Sequence, residues 1–378
     1  MTAQIQCRPA PVIWLEPEPQ TVPVALAATA LTASGFTANW SAAAGATSYR
    51  LDVSTSNTFS SFVSGFNGLN VGNVTAYAVT GLAAGTSYYF RLRAVGFYGT
   101  SGNSNTVTTT TATAYDSEVL DWIARVIANG SNVSAATKDA ANAFMVTIKA
   151  RAGLRAKILR LNLYAGNDKL AVVVPLIKDY GDNALDFWLG SSANFSYTET
   201  GASGGLRLIN AASAPDALST NLWPSSVGSD NDFGFGAYVR NKDGLCLFGS
   251  AQTSFNTSDY IYLDGGSTSY FAIHSNSNDV TVADSTQTGF YLVTRDGSGA
   301  KAYRNGTLLG SNAAPGGNRS GYKMFMHQGN LGPTGGGWPG SATNRYLAGY
   351  QQTLALDAGD VTTISGAWLT FQTALSRL

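Results

Sequence analysis

Two histidines, His274 and His327, and two cysteines, Cys7 and Cys246, are all this chain offers to imidazole or thiolate chemistry. Two histidines are too few for a histidine-based metal centre, and no cysteine stands at zinc spacing from another ligand. Cys7 and Cys246 lie too far apart to form a disulfide framework and read as free thiols packed as small hydrophobes. Glutamate is confined to Glu16, Glu18, Glu118 and Glu199. Hydrolysis of a glycosidic bond needs two carboxyl groups flanking it at a set separation. Asp179, Asp182 and Asp186 are close in sequence, but Tyr180-Gly181 and Asn183 make that stretch a loop. There is no glycine-rich phosphate loop ending in lysine. Gly335-Gly336-Gly337 leads into Trp338-Pro339, a turn and not a helix start. The expectation is a protein that is not an enzyme.

The residues best suited to recognition are aromatic. Trp223-Pro224 and Trp338-Pro339 fall in Gly/Ser-rich loops, where a tryptophan is free to stack on the apolar face of a sugar ring. Tyr262, Tyr270, Asn318, Arg319 and Arg345 are candidates to assist them. The plainer reading is that each Trp anchors its loop and that the Arg and Asn residues are ordinary surface. Calcium is the one cofactor to consider, since it takes six to eight hard oxygen ligands. Asp230 and Asp232 in Ser229-Asp230-Asn231-Asp232, with Asn276 to Asp279, are weak candidates to supply some. Asp and Asn at such places more simply make turns.

Composition bounds what these residues can belong to. The chain has 378 residues, 44% apolar and 11% aromatic, which is enough to fill real cores. Charged residues are only 12%, with a net charge of zero. No basic stripe occurs, so nucleic acid is not an expected partner. No run approaches the roughly 18 apolar residues of a membrane span. Met1 to Pro9 shows no basic n-region, apolar h-region or cleavage site, so the expectation is assembly in a cytosol and exit by lysis or as part of a larger particle.

Three segments follow. Residues 1–22 form a Pro-rich arm, with Pro9, Pro11, Pro17 and Pro19 favouring extended backbone. Within it Val12-Ile13-Trp14-Leu15 is apolar enough to dock on another chain as a short strand or peg, or to fold back on its own domain. Residues 23–113 read as seven short strands. Phe36-Thr37-Ala38-Asn39-Trp40 and Ser48 to Val53 alternate with period two, and glycines punctuate the turns. With Trp40 and Tyr49 at core positions, Leu82 and Tyr88 at a corner before a long strand, and Gly99, Ser101 and Ser104 entering the last strand, this segment resembles a fibronectin type III domain. Such residues build a fold and bind nothing by themselves.

Residues 114–378 open with helical spacing. Asp116-Ser117-Glu118 caps a helix whose apolar residues are Val119, Leu120, Ile123, Val126 and Ile127, and Asn129-Gly130 ends it. A second helix follows Ser134 with Ala140, Phe144 and Ile148 on one face. The pair reads as an adaptor between domains or a cap on a sandwich edge. Strand and turn then dominate. Gly289 to Asp296 and Lys301 to Leu309 frame Asn305-Gly306, a type I′ hairpin signal. A final helix from about Asp357 carries Val361, Ile364, Trp368, Phe371 and Leu375 toward a partner surface. The hairpin Tyr303-Arg304-Asn305-Gly306 resembles that of concanavalin A-like and laminin-G-like jelly rolls. With its opening helices and terminal helix, the segment also resembles a module of bacteriophage structural and tail proteins.

The expected fold is therefore mainly β: a fibronectin-type-III-like sandwich plus a larger concanavalin A-like jelly-roll sandwich with a few peripheral helices. The resemblance implies a virion surface protein on tail, fibre or head, present in many copies. Other virion proteins would hold the arm, and a host glycan or envelope component would be the ligand. A decoration protein without ligand and a polysaccharide depolymerase are the alternatives.

Overall fold

The computed structural model describes residues 21–179, 185–189, 191–201, 204–209, 217–220, 232–240, 246–251, 258–263, 268–275, 280–284, 288–314, 325–326, 329–331 and 346–377. The chain divides into two compact units, Met1–Ala114 and Tyr115–Leu378.

In the first unit, alternation of apolar and polar residues makes strands that each bury one face. Ser87–Gly96 turns Tyr88, Phe90, Leu92 and Ala94 inward and the side chains between them outward. A three-stranded sheet of Ala25–Thr32, Gly35–Trp40 and Ala76–Thr80 accompanies a five-stranded one. The latter comprises Leu69–Gly72, Ala46–Ser54, Ser87–Gly96, Gly99–Thr100 and Val107–Thr110. Eight strands are thus formed where the sequence suggests seven, the extra one being the two-residue Gly99–Thr100. Trp40 and Tyr49 meet in the core with ring centroids 5.7 Å apart. The Tyr88 hydroxyl accepts the Ala83 amide at 2.9 Å and closes the corner. Ser101 and Ser104 hydroxyls accept the amides of Ala94 and Leu92, continuing strand pairing through an irregular stretch. On the outer face Asp52, almost fully buried, is held by Arg91 at 3.0 Å and Arg93 at 3.1 Å.

The second unit stacks two antiparallel-based sheets and a helical layer. Its larger sheet runs Ile177–Lys178, Ile158–Asn162, Tyr346–Thr353, Phe233–Val239, Gly289–Asp296, Gly299–Arg304, Thr307–Asn312, with Gly205–Leu208 and Phe195–Thr198 attached. The second sheet runs Phe187–Leu189, Ala217–Ser219, Phe325–Met326, Cys246–Ala251, Ser258–Leu263, Thr268–Ser275, Val280–Ala283. Gly329–Leu331 joins Cys246–Ala251 in the one parallel pairing among the described strands.

The strand Gly289–Asp296 is buried on both sides, and two consecutive residues show why. Tyr291 stacks on Phe271 of the second sheet at 6.1 Å, whereas Phe290 stacks on Trp368 of the C-terminal helix at 5.5 Å. Period-two geometry sends neighbours to opposite faces, so the larger sheet is the middle layer. Trp368 also donates its indole N–H to Gln351 at 2.9 Å. Gly349 has φ +138°, and a Cβ there would sit 2.4 Å from the Trp368 ring, so the close approach of helix to sheet requires glycine.

The helices Ser117–Ala128, Ala135–Ala150 and Ala358–Ala374 begin at the expected caps Asp116, Ser134 and Asp357. Their burial corrects two expectations. Leu120 and Ile127 are exposed, and Trp122 is buried with Val119 and Val126 instead. A helix advances about 100° per residue, so Leu120 and Ile127 each lie a step off the inward line set by Val119, Trp122 and Val126. In the C-terminal helix, Val361, Ile364, Trp368, Phe371 and Leu375 are buried in the unit's own core, not turned to a partner. Phe144 of the second helix meets Trp368 edge-on at 5.4 Å, which makes these helices a covering layer for the sheet.

Candidate functional site

Of the residues the sequence nominates for recognition, Trp223, Trp338, Asn318, Arg319 and Arg345 lie outside the described residues, as do Asp230 and Val12, Ile13, Trp14 and Leu15. Tyr262 and Tyr270 are register partners of the paired strands Ser258–Leu263 and Thr268–Ser275, and the Tyr270 side chain is half-buried. Asp232 uses a carboxylate oxygen to accept the Ala355 amide at 2.7 Å, a bond between segments far apart in sequence. Among the described residues no three His, Cys, Asp or Glu side chains gather as they would to hold a metal ion.

The structure brings a different set together. At one end of the larger sheet, Phe233–Val239 finishes where Gly289–Asp296 starts, Val239 pairing with Gly289. Beside them the hairpin Gly299–Arg304 to Thr307–Asn312 turns through Asn305 and Gly306, with φ +49° and +83° as a type I′ turn demands. The Asn305 side-chain oxygen accepts the Phe290 amide at 2.8 Å and pins the turn against the strand start. Residues just beyond the C-terminal helix complete the enclosure. The result is a cavity of about 260 Å³ lined by Tyr238, Val239, Arg240, Thr288, Gly289, Arg304, Asn305 and Arg377.

Three guanidinium groups line this one space, and each is held differently. Arg304 pairs with Asp284, which also accepts the Tyr291 hydroxyl at 2.5 Å. Arg240 donates one nitrogen to the carbonyls of Gly201 at 3.0 Å and Gly204 at 2.7 Å. Arg377 is fully buried. It donates to the carbonyls of Glu199 and Tyr164 and to the Tyr197 hydroxyl, the last two at 2.9 and 3.2 Å. Its Nη1 has no hydrogen-bond partner among the described residues, and the Glu199 carboxylate acts on it only through charge. The Glu199 carboxylate is engaged elsewhere, by the Thr137 hydroxyl at 2.6 Å and the Gly166 amide.

Burial pushes the Arg377 pKa below the ordinary guanidinium value, although Tyr197 and Glu199 pull the other way. Burial likewise raises the Tyr238 phenol, against the opposing charge of Arg240, so Tyr238 is neutral at physiological pH. The pocket is therefore rich in N–H and O–H donors with an aromatic wall. It can hold an acceptor-rich group and shows no paired acid and base poised for proton transfer.

Three carboxylates outside the pocket, Asp186, Asp360 and Glu118, are committed to the fold. Asp186 is buried with Arg160 at 2.6 Å, Asn162 at 2.7 Å and Tyr350 at 2.8 Å. Asp360 binds Arg151 and Lys157, and Glu118 binds Arg155 and Lys149.

Of the pocket's arginines, only Arg304 stands in a motif read from the sequence, the Tyr303-Arg304-Asn305-Gly306 hairpin, which assigns it no role. An arginine preceding a hairpin Asn-Gly was the one local signal available. Tyr238 and Arg240 carried none.

The fold defines a protein of stacked β-sheets, mainly β with few helices. Residues 18–110 match the family model of the fibronectin type III domain, and that segment is a domain of this family. Solved structures similar to the chain include the sixth fibronectin type III domain of human fibronectin type III domain containing protein 3. That domain is 22% identical, with 27% of this chain and 91% of that chain covered and a TM-score of 0.21. The fn3 domain of human collagen alpha-1(XX) chain is 24% identical, with 27% and 94% covered and a TM-score of 0.22. A β-1,2-glucanase from Parabacteroides distasonis is 20% identical, with 29% of this chain and 15% of that chain covered and a TM-score of 0.21. No curated protein matches the chain.

Proposed function

We propose that this protein is a non-enzymatic surface component of a bacteriophage virion that attaches to the host envelope or its glycans. In this reading the larger unit is a concanavalin A/laminin-G-like jelly roll, the fibronectin type III domain is a spacer, and the arm docks on other virion proteins. The type I′ hairpin at Asn305-Gly306 within stacked antiparallel sheets, closed by a terminal helix, supports the jelly-roll assignment. The observation that carries the binding role is the donor-lined pocket at the end of the larger sheet. Many copies on one particle convert a weak site into firm attachment. The structural commitment of Asp186, Asp284, Asp360 and Glu118 favours binding over hydrolysis.

Two measurements test this. Immunogold labelling of purified particles with antibody to residues 116–378 is expected to mark fibres or tail tip, and absence of gold from every particle overturns the virion assignment. Fluorescent full-length protein is expected to adhere to a subset of bacterial strains. Adhesion to none, with gold spread over the head, turns the reading to decoration without a ligand.

A further inference from the structure

Resting on the attachment reading for its biological setting, we infer that the pocket between Tyr238, Arg304, Asn305 and Arg377 binds an acidic sugar unit through its carboxylate. Three observations lead there. First, the space is of about 260 Å³. That is slightly below the roughly 300–1,000 Å³ of ordinary ligand sites, so it accepts one sugar residue and not an oligosaccharide.

Second, its unused hydrogen-bonding capacity is that of donors. Arg377 is fully buried and keeps Nη1 without a partner, an arrangement that is unfavourable unless an acceptor arrives. The Tyr238 hydroxyl has no hydrogen-bond partner among the described residues, and only the oxygen of the Asn305 amide is occupied, leaving its NH₂. A carboxylate is acceptor-only, and its two oxygens can take donors from the Arg377 Nη1 and the Tyr238 hydroxyl together.

Third, the lining is not purely polar. Tyr238 lines one side of it, and its ring suits the C–H face of a pyranose and gives nothing to a bare inorganic anion. A neutral sugar would leave the Arg377 charge without a counterion, so discrimination against it comes from the buried cation itself.

The test is ligand-observed NMR titration of the full-length protein with sodium glucuronate, N-acetylneuraminate, glucose and inorganic phosphate. One of the two sugar acids is expected to bind with a Kd of about 1–10 mM, weakening as salt rises, with glucose silent. Arg377→Lys, which retains charge but loses the Nη1 donor, is expected to weaken binding about tenfold, and Tyr238→Phe, a change that spares packing, by about threefold. Thermal melts establish that each variant is folded. Three results overturn the inference: no binding of either acid, phosphate bound more tightly than both, or affinity unchanged in folded Tyr238→Phe and Arg377→Lys. Adhesion to cells that glucuronate and N-acetylneuraminate fail to compete sinks the pocket assignment and leaves attachment standing. Sugar-acid binding without adhesion to any strain does the reverse.

Discussion

Two arginines of the larger unit are equally removed from water and are treated in opposite ways. Arg160 lies in the strand Ile158–Asn162 with Asp186 at 2.6 Å and the Tyr350 hydroxyl at 3.1 Å, all three groups buried. Burial alone would lower its pKa, but Asp186 and Tyr350 hold it above the ordinary value. Arg377 has carbonyls and a phenol around it and its pKa is lowered by burial. A buried cation with its own carboxylate is a finished structural joint. Arg377, beside a cavity, bonds only to carbonyls and a phenol, and feels the Glu199 carboxylate without pairing with it. The difference between fold and site here is a difference in counterions, not in burial.

Removing Arg160 should therefore do the greater damage. Arg160→Met leaves the Asp186 carboxylate buried among Asn162 and Tyr350 without its cation, and the expected cost is about 3–5 kcal/mol in denaturant unfolding of the larger unit. The double variant Arg160→Met, Asp186→Leu should regain much of that, because no orphaned charge remains. If the double variant is as unstable as the single, the joint is not the self-contained pair described. Arg377→Met removes a cation that has no carboxylate to strand. It orphans two carbonyls, so the expected loss is smaller, about 1–3 kcal/mol by the same measurement. Equal losses for Arg160→Met and Arg377→Met would erase the contrast.

Much of the fibronectin type III domain was legible because its determinants are local. Period-two alternation, Trp40, Leu82 and the Tyr88 corner all act within a few residues of sequence, and the corner bond spans only Ala83 to Tyr88. The Asn305-Gly306 turn was legible for the same reason, since φ > 0 at two successive positions selects that dipeptide. The site was not. Arg377 reaches Tyr164, and Arg160 reaches Tyr350, across most of the unit. A pairing set by how sheets and helices stack has no trace in neighbouring residues. The helices show the intermediate case: their caps were readable, while the choice of Trp122 over Leu120 and Ile127 for the core depended on where the sheet lay beneath them. Trp223 and Trp338, nominated by their Gly/Ser-rich surroundings, lie outside the described residues, whereas the pocket is walled by residues that look ordinary in sequence.

The solvent-facing end of the same scale is Asp296, and it supplies the smallest expected effect. This aspartate closes the strand Gly289–Asp296 and accepts Lys301 at 2.9 Å with both its oxygens in use, since Ser298 donates through backbone and hydroxyl. Burial would raise its pKa, but the Ser298 and Lys301 hydrogen bonds outweigh it and bring the carboxyl from 3.8 down to about 2. A carboxyl lowered on folding stabilises the native state fully above its unfolded value and loses that contribution as pH falls through the folded one. The window is therefore about pH 4 to pH 2. Because the pair is well exposed, water and salt screen it, and the contribution is at most a surface one. Asp296→Asn should leave stability at pH 7 nearly unchanged and make the acid limb of unfolding slightly shallower across that window, an effect that shrinks in high salt. A variant that instead lost stability as Arg160→Met does would place Asp296 among the structural joints and remove the graded relation between a charge's exposure and its structural weight.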